Sequence, residues 1–338
     1  MTGLHISAPG KAVLCGEYAV LRGAPALSMA VNRRARVCLS PSADQYHNFT
    51  APGFANGRWR FRAGADGRVE WLDQPPGRGF RLLEEAFKAC VRGELAPISV
   101  SVDTGEFFDP QSGDKLGFGS SAAATVALVA GLLRRDKTTA DLCAVARSVH
   151  RSIQCGRGSG VDVATSCHGG VIRFRSDDVE TPVAQAWPAG LEFRFLYSGR
   201  SADTLAALGK LDDTSSADEP WRMLVSAAEE SSAAWAAGNR EDILDSLRRY
   251  TKCLSQFSDA YKLGVFSAGH DTMVDLATTV GAVYKPCGAG GGDIGIALAS
   301  SIDDIEFFCG RAREHGFIPL KVKPDKNGVA KDSGDRDE

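Results

Sequence analysis

Glycine loses more conformational freedom on folding than any other residue, and this chain places it at 37 of 338 positions, with clusters at 113–119, 156–170 and 288–295. Each cluster is flanked by apolar runs. Such clusters imply backbone that passes close to a ligand, or that turns through conformations a side chain forbids. Around them the composition is ordinary. The 43% of hydrophobic and 24% of charged residues suffice for a full core and exclude wholesale disorder. The length implies one large or two ordinary domains.

Charge and cysteine usage narrow the function classes. The formal net charge is −3, from 39 basic and 42 acidic residues, so no nucleic-acid partner is expected. The basic clusters Arg33-Arg34-Ala35-Arg36 and Arg134-Arg135 read as solvated ends of a strand and a helix. Nine cysteines occur without a CxxC pair or a Cys/His metal spacing, which fits a reducing compartment. Cys15 and Cys287 read as small buried apolar residues. No apolar run reaches the ~20 residues that span a bilayer, and the opening MTGLHISAPGKAVLCGEYAV lacks the basic start and apolar core of a secretory leader. A cytoplasmic monomer or homodimer without membrane contact is expected.

Periodicity predicts a mixed chain. His5–Ala8 and Ala12–Leu21 read as strand, turn and strand, followed by β segments at Ala26–Val31 and Ala35–Leu39. Residues 41–79 read as an edge hairpin or long loop with short aromatic strands. Phe80–Val91 has helical spacing, with Leu82, Leu83, Ala86, Phe87 and Cys90 on one side. Ala122–Leu133 is apolar nearly all round and reads as a buried helix. Asp141–Ile153 is a further helix, and Trp221–Ala237, Arg240–Gln256 and Asp259–Val280 form a helical block. Strands are expected at Ile98–Val102, Val171–Phe174, Phe193–Tyr197, Val283–Pro286 and Ile294–Ala299, with a last helix at Asp303–His315. The composition shifts near residue 190, which divides residues 1–190 from 191–322. The Lys/Asp/Gly-rich stretch 323–338 reads as a flexible tail.

The glycines fall into three motifs. Gly117-Phe118-Gly119-Ser120-Ser121-Ala122 stands between a loop and the buried helix. A glycine-rich loop opening a helix offers backbone N–H groups and the positive end of the helix dipole, a site for phosphate. Ser120 and Ser121 add hydroxyls that cap the helix, bind phosphate or reach Mg²⁺. The pattern is not GxxxxGK[ST], since no lysine precedes the serines, nor GxGxxG, since Ala122 stands at the last glycine position. A plain Gly-Ser helix cap is the alternative. The second motif, Pro9-Gly10-Lys11 through Gly16-Glu17-Tyr18-Ala19-Val20, puts Lys11 in a turn, placed to reach a phosphoryl group or tune an acid–base residue. Glu17, framed by apolar residues, needs a partner if buried. The third, Lys285-Pro286-Cys287-Gly288-Ala289-Gly290-Gly291-Gly292-Asp293, is a loop between strands, either wrapped on a ligand or simply a flexible turn.

Taken together and in this order, the three motifs resemble those of the GHMP kinases, over residues 8–299. Gly158-Ser159-Gly160-Val161-Asp162 with His168-Gly169-Gly170 resembles the acidic motif of the mevalonate-pathway branch, especially as in its phosphomevalonate kinases. Tyr197-Ser198-Gly199-Arg200-Ser201-Ala202-Asp203-Thr204 resembles the branch's substrate loop. The resemblance implies an α+β fold in two domains, ribosomal S5-like then ferredoxin-like, with the active site between them. It also implies phosphoryl transfer dependent on ATP and Mg²⁺. Two positions depart from the pattern. Phe118 replaces a customary leucine, and Val149–Gln154 carries no acid where mevalonate kinases commonly place a magnesium-binding glutamate.

By that resemblance Gly117, Gly119, Ser120, Ser121 and Ala122 hold the ATP phosphates, with Ser121 on the metal. Lys11 stabilises the transferring group. Asp162 is the base for an alcohol acceptor, or orients Lys11 if the acceptor is a phosphate, which is largely dianionic near neutrality; a helix cap is its structural alternative. Glu17, Tyr18, Ser159, Gly160 and Arg157 are expected at the acceptor, as are Ser198, Arg200, Ser201, Thr204, Gly290 and Gly291. Arg157 and Arg200 tilt the acceptor toward (R)-5-phosphomevalonate over mevalonate. The rivals are mevalonate kinase, a decarboxylase that first phosphorylates a tertiary hydroxyl, and a silent sensor of sugar or nucleotide. His150 and His168 read as structural.

Overall fold

The computed structural model describes residues 3–75, 77, 80–133, 138–176, 182–201, 209–211 and 218–332. The chain opens on β1 (Leu4–Cys15), buried from Ile6 onward and paired antiparallel with β2 (Ala26–Pro41). The expected break at Pro9-Gly10-Lys11 is not a turn. It is a bulge inside one long strand, because a bulge accommodates a proline that cannot donate to the ladder. Residues 16–21, expected as strand, instead turn back through a 3-10 turn at Ala19–Arg22.

Beyond β2 the first sheet continues through β6 (Ile98–Asp103), β3 (His47–Ala51), β4 (Ala55–Ala63) and β5 (Val69–Trp71), with β3 and β6 parallel. β7 (Val171–Phe174) pairs with the first residues of β2, and β8 (Val183–Gln185) pairs with β7. The helices α1 (Arg81–Cys90), α2 (Ser120–Leu132), α3 (Thr139–Ile153) and α4 (Val161–His168) form the adjoining layer. α2 packs against β1 and β2 and is buried from Ala122 to Val129, as its all-round apolar sequence requires. α3 starts at a capping box between Thr138 and Asp141.

The second sheet runs β10 (Val283–Pro286), β11 (Ile294–Ala299), β9 (Glu192–Tyr197), β12 (Ile318–Leu320), all antiparallel. Side chains alternate between its faces. Leu196, Ala297 and Ala299 share a core with α7 (His270–Thr279) and α8 (Ile302–Glu314), whereas Phe195, Ile296 and Leu298 join the main core. There Phe195 meets Phe118 edge-on at 5.3 Å, which ties this sheet to the glycine loop before α2. The helices α5 (Glu219–Ala237) and α6 (Arg240–Ala260) pack on each other. The helix expected over Asp259–Val280 is broken between Tyr261 and Gly269, where Lys262 and Ala268 take left-handed backbone that a helix cannot continue through.

The stretch expected to be a flexible tail is ordered as far as Asp332. Arg34, read from sequence as a solvated strand end, is ion-paired with Asp325 and donates to the Gly328 carbonyl. The Ser7 hydroxyl donates to Asp332, and β13 (Ala330–Lys331) pairs with β1. Charge partners more than 290 residues away in the chain hold what composition alone would leave loose.

Candidate active site

The three glycine motifs converge on Lys11, which is only 8% exposed. Its backbone N–H donates to the Phe118 carbonyl at 2.8 Å, joining β1 to the loop before α2. The aliphatic stem lies on Gly119, and Gly288 of the third motif borders the ammonium. Lys11 Nζ is 3.5 Å from Asp162 Oδ1, an electrostatic contact longer than a hydrogen bond. Asp162 belongs to the first turn of α4 but does not cap it. Gly160 holds the cap position and no side chain caps the helix, so the aspartate is left facing Lys11.

The loop before α2 has the form of an anion cradle. Gly117 and Gly119 both adopt positive φ, at 89° and 76°, and a side chain at Gly117 would overlap Asp293 of the third motif. Gly119 holds the cap position of α2 and no side chain caps the helix, so its first-turn N–H groups are left for an anion. Ser120 is buried and Ser121 exposed. An aromatic cavity of about 270 Å³ reaches the same loop, lined by Phe49, Phe54, Phe80 and Phe108 together with Lys115, Ser120 and Ser121. Sequence reasoning missed this cavity, because its aromatic residues come from segments read only as edge strands and helix.

On the other side of Lys11 lies a pocket of about 120 Å³ that also takes in Asp162, Tyr18, Ser159, Gly160, His150 and Gln154. Glu17 borders it, with its carboxylate engaged elsewhere. The Lys285 ammonium and the Tyr250 hydroxyl both donate to it, and both partners are buried. This supplies the partner that a buried Glu17 required. Burial, the largest single effect, lowers the Lys285 pKa, but the charge and hydrogen bond of Glu17 together with the Cys287 and Cys15 thiols outweigh it, and the net direction is up. The flanking thiols are pushed up mainly by burial, Cys15 to about 12 and Cys287 to about 11, which makes them inert packing residues as expected. Tyr18, itself at positive φ, donates its hydroxyl to the Ala289 carbonyl at 2.6 Å and closes the pocket against the third motif.

Through Leu21, Gly158 and Ser159 this pocket shares its wall with a second one of about 410 Å³, lined by Arg22, Arg147, Arg151 and Arg157. The guanidinium groups are held in place: Arg22 lies over the Trp221 ring at 4.8 Å, Arg147 over Phe174 at 5.2 Å, and Arg151 donates to the Gly156 carbonyl. Arg147 and Arg151 were not anticipated, although their i, i+4 spacing on α3 sets them on one face. The remaining acceptor candidates lie apart. The Arg200 carbonyl accepts from Asp293 N–H, and the Ser201 hydroxyl donates to the Lys115 carbonyl, so the Ser198–Ser201 loop packs beside Gly117 rather than beside Arg157. Ser198 N–H donates to the Asp293 carbonyl. Gly291 N–H donates to Val265, and Gly290 is pressed against the same residue, a packing reason for both glycines. Thr204 lies outside the described residues. Among the described residues no helix is long and apolar enough to cross a membrane, and no cluster of three His, Cys, Asp or Glu forms a metal site.

Residues 82–170 match the model of the GHMP kinases N terminal domain. The chain is 28% identical to a phosphomevalonate kinase of Streptomyces sp. (strain CL190), over 95% of this chain and 97% of that protein. It is 29% identical to a mevalonate kinase of Methanothermobacter thermautotrophicus, over 60% of this chain and 61% of the other. In fold it is similar to Streptococcus pneumoniae phosphomevalonate kinase in complex with phosphomevalonate and AMPPNP, with a TM-score of 0.78 at 20% identity, covering 95% and 99% of the two chains.

Proposed function

We propose, from the premise that this chain belongs to the GHMP kinases and is a phosphotransferase, that it moves the γ-phosphoryl group of ATP to the phosphate of (R)-5-phosphomevalonate. The observation that carries the choice of acceptor is the charge of the joined pockets. Among the described residues, Lys11 and four arginines line them, against two carboxylates, Asp162 and the Glu17 already engaged by Lys285. Such a cavity favours an acceptor with a dianionic phosphate at one end and a carboxylate at the other over one with a single carboxylate. The names of the relatives, divided between the two kinases, support the pathway and leave the acceptor to this charge argument.

In this reading the uncapped start of α2 takes the ATP phosphates, and the aromatic cavity beside it takes the nucleoside. The donor set fits a metal held chiefly by the nucleotide, with the exposed Ser121 hydroxyl as the protein's contribution and, among the described residues, no carboxylate cage. When bound, Mg²⁺ neutralises charge on the phosphates. Lys11 supplies positive charge where the transferring group meets the acceptor oxygen, and Asp162 holds the ammonium there. A phosphate acceptor needs no base, since its second pKa is about 6. The two-domain division near residue 190 fits this arrangement, because β9 and all later strands but β13 belong to the second sheet.

The test is ADP release over a panel of phosphomevalonate, mevalonate, diphosphomevalonate, homoserine and galactose. Turnover on phosphomevalonate is expected. Robust turnover on mevalonate with none on phosphomevalonate would overturn the acceptor while leaving the family unaffected.

A further inference from the structure

His150 has no part in the chemistry above, yet it is placed where a ligand must meet it. It sits in the last turn of α3, one helical turn before Gln154, and both side chains line the pocket that holds Lys11 and Asp162. It is 4% exposed, and its Nε2 is buried with no hydrogen-bond partner among the described residues. Native structures rarely leave such an atom unpaired, because the lost hydration of a buried polar group is not returned by packing.

We infer that His150 is a specificity-determining residue whose Nε2–H donates to an oxygen of the bound acceptor beside the Lys11–Asp162 pair. The inference rests on the anionic acceptor proposed above, because anionic oxygens select the tautomer that carries the proton on Nε2. Three charged groups act on the imidazole through their fields. Burial and the nearby Lys11 and Lys115 keep it neutral by lowering its pKa, against the opposing pull of Asp162. A neutral donor adds selectivity by geometry where Lys11 and the arginines add only charge. It requires an oxygen at one place in the pocket, and an acceptor lacking it leaves the imidazole orphaned.

The experiment compares His150→Leu, His150→Gln and His150→Glu with the wild type for KM of acceptor, KM of ATP, kcat and melting temperature. Each is read on whichever of phosphomevalonate or mevalonate the wild type phosphorylates. Leucine removes the donor and should raise the acceptor KM about tenfold or more, with the ATP KM within about twofold. Glutamine presents an amide N–H at similar reach and should recover most of the loss. Glutamate brings a like charge toward an anionic acceptor and should be the worst of the three. An unchanged acceptor KM in the leucine variant overturns the inference. So does a rise in both KM values with a matching fall in melting temperature, which marks a packing role. Turnover on mevalonate alone sinks the acceptor reading, and the same three variants then decide the role of His150 on mevalonate. No turnover on either compound overturns both.

Discussion

The aliphatic stem of Lys11 lies flat on Gly119: a methyl group added at Gly119 would stand 3.1 Å from Lys11 Cε and 3.2 Å from Cγ. The glycine is needed twice over, since its φ of 76° also lies in the left-handed region. A side chain here displaces either the lysine or the loop. Gly119→Val should therefore weaken ATP binding at least tenfold, about 1.4 kcal/mol, in a protein that still folds. Isothermal titration with AMPPNP measures it. Unchanged affinity would remove the loop from the nucleotide site.

Lys11 and Asp162 are expected to act on the transferring charge rather than on bound ATP. Lys11→Ala should lower kcat about a hundredfold or more, with the ATP KM little changed. Asp162→Asn keeps the shape but releases the ammonium, and should lower kcat by less than Lys11→Ala if the acceptor is a phosphate that needs no base. Steady-state kinetics on phosphomevalonate gives both numbers. An Asp162→Asn loss as deep as that of Lys11→Ala favours a proton-abstracting aspartate and an alcohol acceptor.

Much of this site was legible because motifs mark what must lie close to backbone. The glycines at 117, 119 and 288 announced a convergence that the fold places around Lys11. What was not legible depended on partners remote in sequence. Nothing local tells that Glu17 meets Lys285, 268 residues away, or that Arg34 waits for Asp325 and so orders the last strand. Arg157 and Arg200 looked equivalent, each beside a glycine turn. Tertiary packing separates them, because Arg200 is fastened by its carbonyl to Asp293. The bulge at Pro9-Gly10 reads as a turn in the sequence, because proline and glycine punctuate either.

That separation yields a third prediction. Arg151→Ala and Arg157→Ala should each raise the acceptor KM about tenfold while leaving the ATP KM nearly alone, since charge-assisted bonds contribute about 1.5–3 kcal/mol. Arg200→Ala should not raise the acceptor KM, because Arg200 is no part of the lining of the arginine pocket and its backbone is tied to Asp293 of the third motif. Acceptor affinity should also weaken as salt is added. Equal effects from Arg157 and Arg200 would mean that the acceptor reaches the Ser198–Ser201 loop.

The Glu17–Lys285 pair is buried with the Tyr250 hydroxyl on the same carboxylate. Removing one member strands the other charge. Lys285→Met should thus cost about 3–5 kcal/mol in chemical denaturation, whereas the double change Lys285→Met with Glu17→Leu should recover most of it. A non-additive cycle of this kind identifies a true buried pair. Additive losses would show that the two residues act on stability independently.

His270 fixes the third glycine motif from behind and makes it sensitive to acid. Its Nε2–H donates to the Gly292 carbonyl at 3.0 Å, and its Nδ1 accepts from the Tyr284 hydroxyl at 2.8 Å, so protonation of Nδ1 breaks the second bond. Burial pushes its pKa down from 6.5 to about 4, against a smaller opposing effect of the Gly292 carbonyl. Between these values the unfolded chain binds the proton and the folded one does not, so stability falls as pH drops from 6.5 toward 4 and is fully retained above 6.5. The group should account for about 2 kcal/mol of the loss between pH 7 and pH 4.5. Denaturant titrations at those two pH values, on wild type and His270→Gln, isolate it. The variant should be less stable at pH 7 but lose about 2 kcal/mol less on acidification. Parallel losses in the two proteins would assign the acid sensitivity to other groups.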